Sequence, residues 1–483
     1  MKTDQWLIPL GGDWVQTGSS MPVRDPEDGR VIAHVAQAGP EQVSTAVAAA
    51  VLAATAARRQ SALTRSDALR SAADRVAAEQ ESFARTIAEE GVKTIREARR
   101  EVARCVQTLR LSGEEAQRLG GETIRFDGFA GGEHRIGYWT RDPVGVVAAI
   151  TPFNDPLNLV AHKIGPAIAA GNAVILKPHE ATPLSALRLA ALLIDSDLPP
   201  GMLQVLPGRG DVVGAALVAH PAVRMVSFTG GRAVGEHIAR TAGPKKLAME
   251  LGNNGATIVL DDADLDRAVP AIVQGAYAAA GQNCLHVQRV LIHRAVYSEL
   301  ADRLAAAASE LRLGAKLSED TDMGPLINEA AAHRVTGLIK DAVTQGARVL
   351  SGGSQRGTSI EPTLIDQVPD GHALAREEIF GPVTVLQPID SLAEAIAIAN
   401  TGGSDLQAAV FTRSLDAAFH AIDALETGGV VVNDSTDYRT DSMPFGAANG
   451  AGIGREGIRY SCEAMSEPKV VCLTLPERTT DRG

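Results

Sequence analysis

Cysteine is scarce in this sequence. Its four copies stand at positions 105, 284, 462 and 472 of 483 residues, with no CxxC pair and no metal-ligand spacing. That excludes a disulfide framework and a structural zinc site, and a reducing, cytoplasmic compartment is expected. Positive charge is also in deficit. Lys and Arg number 46 against 58 Asp and Glu, a formal charge of −12. Nucleic-acid binding, which neutralises phosphates with clustered cations, is therefore not expected. An anionic small molecule held by one local arginine is not excluded by that balance. No apolar run reaches the length of a membrane span, and the opening Met1-Lys2-Thr3-Asp4-Gln5-Trp6 lacks the apolar core of a signal peptide. Aromatics make up only 4% while alanine runs recur, so the helices are expected to pack through small side chains. What remains is ordinary globular composition, 45% hydrophobic and 22% charged, in a chain long enough for two or more domains.

Periodicity divides the chain. Residues 40–113 read as long helices with apolar positions at helical spacing. The arginine-rich stretch from Arg96 to Arg110 reads as a solvated helix face. Residues 122–126 and 134–140 read as two strands around a loop containing Gly128, Gly131 and Gly132. From Val144 strands and helices alternate: strands at 144–150, 173–176, 203–206 and 223–228, and a helix at 183–195. A second alternation starts near Ala256, with a helix over 264–280 and a strand over 287–293, and runs to about Asn433. Such alternation implies parallel sheets whose ligands bind beyond the carboxyl ends of the strands.

Several strand ends carry chemistry. Gly281-Gln282-Asn283-Cys284 follows a helix end, where a turn can present a thiolate. Met249-Glu250-Leu251-Gly252 ends an apolar strand with a carboxylate, a general base if burial raises its pKa. Thr151-Pro152-Phe153-Asn154-Asp155 places an amide between prolines, where its NH₂ can face an oxyanion. Lys177-Pro178, Gly208 through Gly214, and Phe228-Thr229-Gly230-Gly231 with Gly235 beyond them are glycine-rich or basic strand ends of the kind that approach phosphate. Val213 stands where a GxGxxG fingerprint needs glycine, so that pattern fails. Each signal alone has a bland alternative: a buried cysteine, a surface glutamate, a turn asparagine, a loop glycine.

Together, in this order and at these spacings, they resemble the aldehyde dehydrogenase superfamily over nearly the whole chain. Glu377-Glu378-Ile379-Phe380-Gly381-Pro382, Pro444-Phe445-Gly446 and Gly454-Arg455-Glu456-Gly457 extend the match. The resemblance implies an α/β fold with a Rossmann-like cofactor domain (1–118 and 142–251), an α/β catalytic domain (252–440), and a β-hairpin bridging arm (119–141 and 464–483). It implies Cys284 as nucleophile, Glu250 as general base and Asn154 as oxyanion donor. For the cofactor, NAD with NADP possible, it implies Thr151, Pro152, Phe153, Lys177, Glu180, Gly210, Gly214, Phe228, Thr229, Gly230, Gly231, Gly235, Leu251, Gly252, Glu378 and Phe380. Glu456 matches a second carboxylate that assists proton relay in some members. Asn253, Gly231, His179 and the run Ala447-Ala448-Asn449-Gly450 depart from the family pattern without removing a group that does covalent chemistry.

The expected reaction is oxidation of an aldehyde to a carboxylic acid through a hemithioacetal and a thioester on Cys284. Glu180 would repel a 2′-phosphate, which favours NAD. Arg439, in a segment that precedes Met443-Pro444-Phe445, would bind the anionic end of a small polar aldehyde; against this, Asp155 and Asn283, the other candidate substrate residues, flank the catalytic residues and offer no positive charge. The bland alternative for Arg439 is a surface arginine. No metal, nucleic acid or membrane is expected, and the arm implies a homodimer or homotetramer. Two rival functions are a CoA-acylating semialdehyde dehydrogenase, which Glu250 argues against, and a catalytically silent relative.

Overall fold

The computed structural model describes residues 5–401, 406–446, 448 and 450–476. Four helices follow a small amino-terminal β region: Pro40–Ala57, Ala62–Ala78, Gln80–Glu90 and Ile95–Arg118. The first begins with proline at its first turn, and Gln42 accepts from the Gly39 N–H at 2.9 Å. The fourth begins with a capping box: Thr94 Oγ1 accepts from the Glu97 N–H, and Glu97 Oε2 accepts from the Thr94 N–H at 2.8 Å. Small residues set the helix spacing. A Cβ on Gly113 would stand 3.1 Å from the Ser66 carbonyl, and one on Gly165 only 2.6 Å from Ser112 Oγ.

A six-stranded sheet runs in the order Leu203–Val205, Ala173–Lys177, Val146–Ile150, Met225–Thr229, Lys246–Glu250, Gly452–Ile453. The first five strands are parallel and the last is antiparallel. The chain order reverses between Val146–Ile150 and Met225–Thr229, which opens a crevice beyond their carboxyl ends. Register aligns Lys177, Ile150, Phe228 and Met249 in one row and puts Thr229 opposite Glu250 in the next. The core around this sheet reaches from Ile8 to Leu251 and also takes Ile458, Cys462 and Met465 from the other end of the chain.

A seven-stranded sheet holds Arg348–Ser351, Thr363–Asp366, Val383–Ile389, Arg289–His293, Ala256–Val259, Ala408–Phe411 and Val430–Val432 in that order. Its neighbours are parallel except the first pair. Separate apolar clusters serve it, built from residues between Ala256 and Leu425. Thr123–Ile124, Arg135–Pro143 and Ser466–Thr474 form an antiparallel three-stranded sheet, with Arg135–Pro143 in the middle. Residues 477–483, along with Ala447 and Asn449 of the departure after Pro444-Phe445-Gly446, lie outside the described residues.

Two expectations need correction. The helix expected over 264–280 ends at Tyr277, and Ala279 and Ala280 turn left-handed. The arginine-rich helix face is not uniformly solvated. Arg99 and Arg110 pair at the surface with Glu81, Glu319 and Asp74, but Arg104 turns inward to Asp155 and Asp441. Both acids are largely buried and need a cation, and Arg104 supplies it.

Candidate active site

The segment Thr151-Pro152-Phe153-Asn154 leaves the strand Val146–Ile150 directly at the crevice. Asn154 is buried there, and the Phe153 ring stands edge-on to His179 at 5.3 Å and to Phe380 at 5.7 Å. Asp155 does not face a free space. It is paired with Lys93 and, at 3.4 Å, with Arg104. Lys93 also bonds Glu101 at 2.8 Å, so a buried ionic network backs this turn.

Lys177 is buried at the end of its strand and bonds Glu180 at 3.1 Å. Burial opposes ionisation of Glu180, but the Lys177 ammonium, His179 and hydrogen bonds to the carboxylate together outweigh it and hold the carboxyl below the ordinary carboxylate range. Beside them, in the segment that runs from Gly210 to Gly214, Arg209 pairs with Asp211 at 2.6 Å. A Cβ on Gly210 or Gly214 would meet nothing, so neither glycine is required by packing. Gly230 and Gly235 are different. A Cβ on Gly230 would lie 2.6 Å from the Phe228 ring, and one on Gly235 would lie 2.3 Å from Leu251. Gly231 caps the helix Arg232–Thr241, which starts at the crevice without a capping side chain. Glu378 accepts from the Asn253 N–H at 3.2 Å and lies where a Cβ on Gly252 would be. Burial pushes its carboxyl up to about 7. Phe380, two residues on, holds a left-handed φ of 51°.

Cys284 follows an unusual turn. Ala279, Ala280 and Gly281 are consecutively left-handed, with φ of 49°, 55° and 68°. Each non-glycine residue held this way costs about 1–2 kcal/mol. Glycine is obligatory at 281, because a Cβ there would sit 2.2 Å from the Gly381 carbonyl. The turn is pinned at both polar groups of Ala279. Its N–H donates to Glu97 Oε1 at 2.8 Å, and its carbonyl accepts from Gln282 Nε2 at 3.0 Å. Cys284 is half-buried against Leu285, Leu406, Phe445 and Ala451. Burial pushes its thiol up to about 12; Arg439 pulls it down, and Glu378, Glu250 and Glu456 push it further up. Asn283 bonds Asp437 and accepts from the Leu285 N–H at 3.1 Å.

Two buried carboxyls of opposite character stand near the thiol. Glu250 ends its strand with Oε2 buried and without a hydrogen-bond partner among the described residues. Burial and the negative charge of Glu456 drive its pKa well above the ordinary carboxylate range, against the pull of Arg439, Lys163 and Arg455. Glu456 is equally buried but bonds Lys163 at 3.3 Å and Arg439 at 2.8 Å. Burial opposes its ionisation too, yet those cations prevail and hold it down at about 2. Arg439 is thus no surface residue: its guanidinium is buried, stacked 3.9 Å over the Phe445 ring. A small cavity bounded by Lys163, Ser227, Glu250 and Glu456 has room for about one water.

Residues 14–471 match the model of the aldehyde dehydrogenase family. The chain is 46% identical to the aldehyde-dehydrogenase-like protein y4uC of Sinorhizobium fredii, over 93% of this chain and 88% of that protein. It is also 46% identical to aspartate-semialdehyde dehydrogenase 1 of Pseudomonas canavaninivorans, over 94% and 96%. This chain belongs to the aldehyde dehydrogenase family. The crystal structure of aldehyde dehydrogenase 21 from Physcomitrella patens, in complex with its reaction product succinate, superposes with a TM-score of 0.96 at 36% identity, covering 99% of this chain and all (100%) of that one. Glyceraldehyde-3-phosphate dehydrogenase GapN from Methanocaldococcus jannaschii, complexed with NADP, gives 0.91 at 35% identity, over 95% of this chain and 100% of that one. The protein is an NAD(P)-dependent aldehyde dehydrogenase.

Thr151 Oγ1 and Thr229 Oγ1 are buried, without partners among the described residues, at the two strand ends that flank the crevice. A ligand offering hydroxyl or phosphate groups satisfies such orphans. Sequence analysis passed over four residues of this region. Lys163 carries a signal, a lysine set among Leu159, Val160, Ala161 and Ile164. Arg104, Asp441 and Glu97 carry none, since each reads as an ordinary charge near a helix or turn. Among the described residues no cluster of His, Cys, Asp and Glu could hold a metal, and no helix is long and apolar enough to cross a membrane.

Proposed function

We propose that this aldehyde dehydrogenase oxidises a small, polar or anionic aldehyde to its carboxylate through Cys284, with NAD as the preferred cofactor. The observation that carries this is the split between Glu250 and Glu456. Two buried carboxyls near one thiol have environments that drive their pKa values apart. One is a poised base, the other a fixed anion.

The thiol attacks the aldehyde carbon as its proton passes to Glu250, because a sulfhydryl with a raised pKa cannot lose the proton unaided. The resulting hemithioacetal oxygen is held by the Asn154 amide and the Cys284 backbone N–H; one such donor is worth on the order of 10²–10³ in rate. Bound nicotinamide supplies the hydride acceptor. Loss of hydride from the hemithioacetal carbon leaves a thioester on Cys284. Glu250 releases the thiol proton to solvent before deacylation, then takes a proton from water as the water oxygen attacks the thioester; when the C–S bond breaks the carboxylic acid leaves, and Glu250 returns that proton to the sulfur. General-base help of this kind contributes about 10²–10⁴.

The unit of residues 1–118 and 142–251 would hold the dinucleotide. Lys177 and Glu180 would meet the ribose, Thr151, Pro152, Phe153, Phe228, Thr229, Gly230, Gly231 and Gly235 would line the crevice, and Leu251, Gly252, Glu378 and Phe380 would meet the nicotinamide end. Gly210 and Gly214 leave open backbone beside them. Glu180 stays ionised and disfavours a 2′-phosphate. We assign Glu456 to raising the pKa of Glu250 rather than to carrying its proton, since Lys163 and Arg439 oppose protonation. Arg439 would draw an anionic aldehyde towards the thiol, whose titration it already influences. The named substrate of the Pseudomonas relative and the succinate bound to the moss enzyme both bear carboxylates. Asp155 and Asn283, tied to Lys93, Arg104 and Asp437, would shape the pocket wall rather than grip substrate. Exposed Ile136 and Val470 on the three-stranded arm support assembly into a homodimer or homotetramer.

The test is a panel of short neutral and anionic aldehydes, followed by reduced-nicotinamide absorbance with NAD and with NADP. Cys284→Ala should abolish turnover on every member while the cofactor still binds. Wild-type turnover by that variant would overturn the mechanism.

A further inference from the structure

The left-handed turn before Cys284 is built from the wrong residues. Alanine is the best helix former, and Ala278-Ala279-Ala280 continues the apolar helix Leu265–Tyr277 in sequence. Left to local preference, these residues would extend that helix and swing Asn283 and Cys284 away. Something must hold them. Gln282 ties the loop to the Pro325 carbonyl at 3.2 Å and to the Ile327 N–H at 2.9 Å, and the grip on Ala279 itself from outside the loop is Glu97. Its Oε1 accepts from the Ala279 N–H at 2.8 Å, while its Oε2 accepts from the Thr94 N–H at 2.8 Å and from Thr94 Oγ1 at 3.0 Å. One carboxylate therefore caps the helix Ile95–Arg118 and clamps the turn. The two lie in different cores: Ile95 and Ala98 pack with the six-stranded sheet, Tyr277 and Ala280 with the seven-stranded one.

We infer that Glu97 is a positioning residue for the nucleophile. It selects the left-handed turn over helix, and it fixes the reactive sulfur relative to the unit that carries the dinucleotide crevice. This rests on Cys284 being the nucleophile. An aligned reaction is sensitive to small displacement, so loosening the clamp reaches the chemistry without touching a reacting atom.

The test uses the full-length enzyme and the variant Glu97→Asp. Aspartate keeps a negative charge in the first helical turn but is too short to reach Ala279. Iodoacetamide alkylation of Cys284, followed by peptide mass spectrometry, and kcat on a good aldehyde should both fall about tenfold. Melting temperature and NAD affinity should stay at wild-type values. Adding Ala279→Gly and Ala280→Gly, which enter the left-handed region freely, should restore both rates to within about threefold. Unchanged rates in Glu97→Asp would overturn the inference. So would a failure of the glycines to rescue, or a loss of rate matched by a loss of melting temperature. Cys284→Ala, run alongside, separates the two ideas: turnover by that variant defeats the nucleophile assignment, whereas the Glu97 results bear on the clamp alone.

Discussion

Replacing Glu250 by glutamine should make the enzyme slower and sturdier at once. The carboxyl is buried, one oxygen has no partner among the described residues, and Glu456 repels its charge. Its folded pKa therefore lies above the ordinary carboxyl value of 4.5. The sign follows from linkage. Below pH 4.5 the carboxyl is protonated in both states and imposes no penalty. As pH rises, the unfolded chain releases the proton while the folded one retains it, so folding loses about 1.4 kcal/mol per pH unit until Glu250 itself ionises. Glutamine has no proton to release. The stability of Glu250→Gln relative to wild type should climb by that slope above pH 4.5 and then level off. Catalytically, the variant should deacylate about 10²–10⁴ more slowly. Stopped-flow mixing with NAD and aldehyde should show the first reduced nicotinamide per subunit forming slowly as well, without a burst, because the thiol has lost its proton acceptor. Thermal or urea unfolding between about pH 4 and about pH 8 measures the other half. Turnover within tenfold of wild type, or a stability difference that is flat with pH, would refute this account of the site.

Two further outcomes follow from the same charges. Arg439→Ala should raise KM for an anionic aldehyde by about tenfold or more, the worth of one charge-assisted hydrogen bond, and leave a neutral aldehyde of equal length unaffected; equal effects on both would remove Arg439 from substrate binding. Glu180→Gln, which removes the anion beside Lys177, should raise the kcat/KM ratio of NADP over NAD by about tenfold; an unchanged ratio would place the 2′-hydroxyl elsewhere.

The residues with strand-end chemistry were legible because parallel α/β sheets deliver functional groups at one place only, the carboxyl ends of strands. Asn154, Lys177, Thr229 and Glu250 all fall there. The turn before Cys284 was not legible, since three alanines speak for helix and the opposing voice is a glutamate 182 positions away in the chain. The solvated reading of Arg104 and the surface alternative for Arg439 fail for a related reason. An arginine in sequence carries no mark of whether a buried acid awaits it, and both partners, Asp441 and Glu456, reach them through tertiary contact alone. The amino-terminal strands Ile8–Leu10 and Ser20–Arg24 each contain a proline, which weakens the strand signal and suits them to their edge positions.

The antiparallel strand Gly452–Ile453 closes the six-stranded sheet against Met249 and Glu250, and the residues after it supply Glu456 and the packing of Ile458, Cys462 and Met465. The first-made half of the chain thus cannot finish its own interior until residues 452–465 have been synthesised, some two hundred positions later. A polypeptide cut short before them would carry the sulfur of Cys284 but lack both the neighbour strand that seats Glu250 and the anion that tunes it.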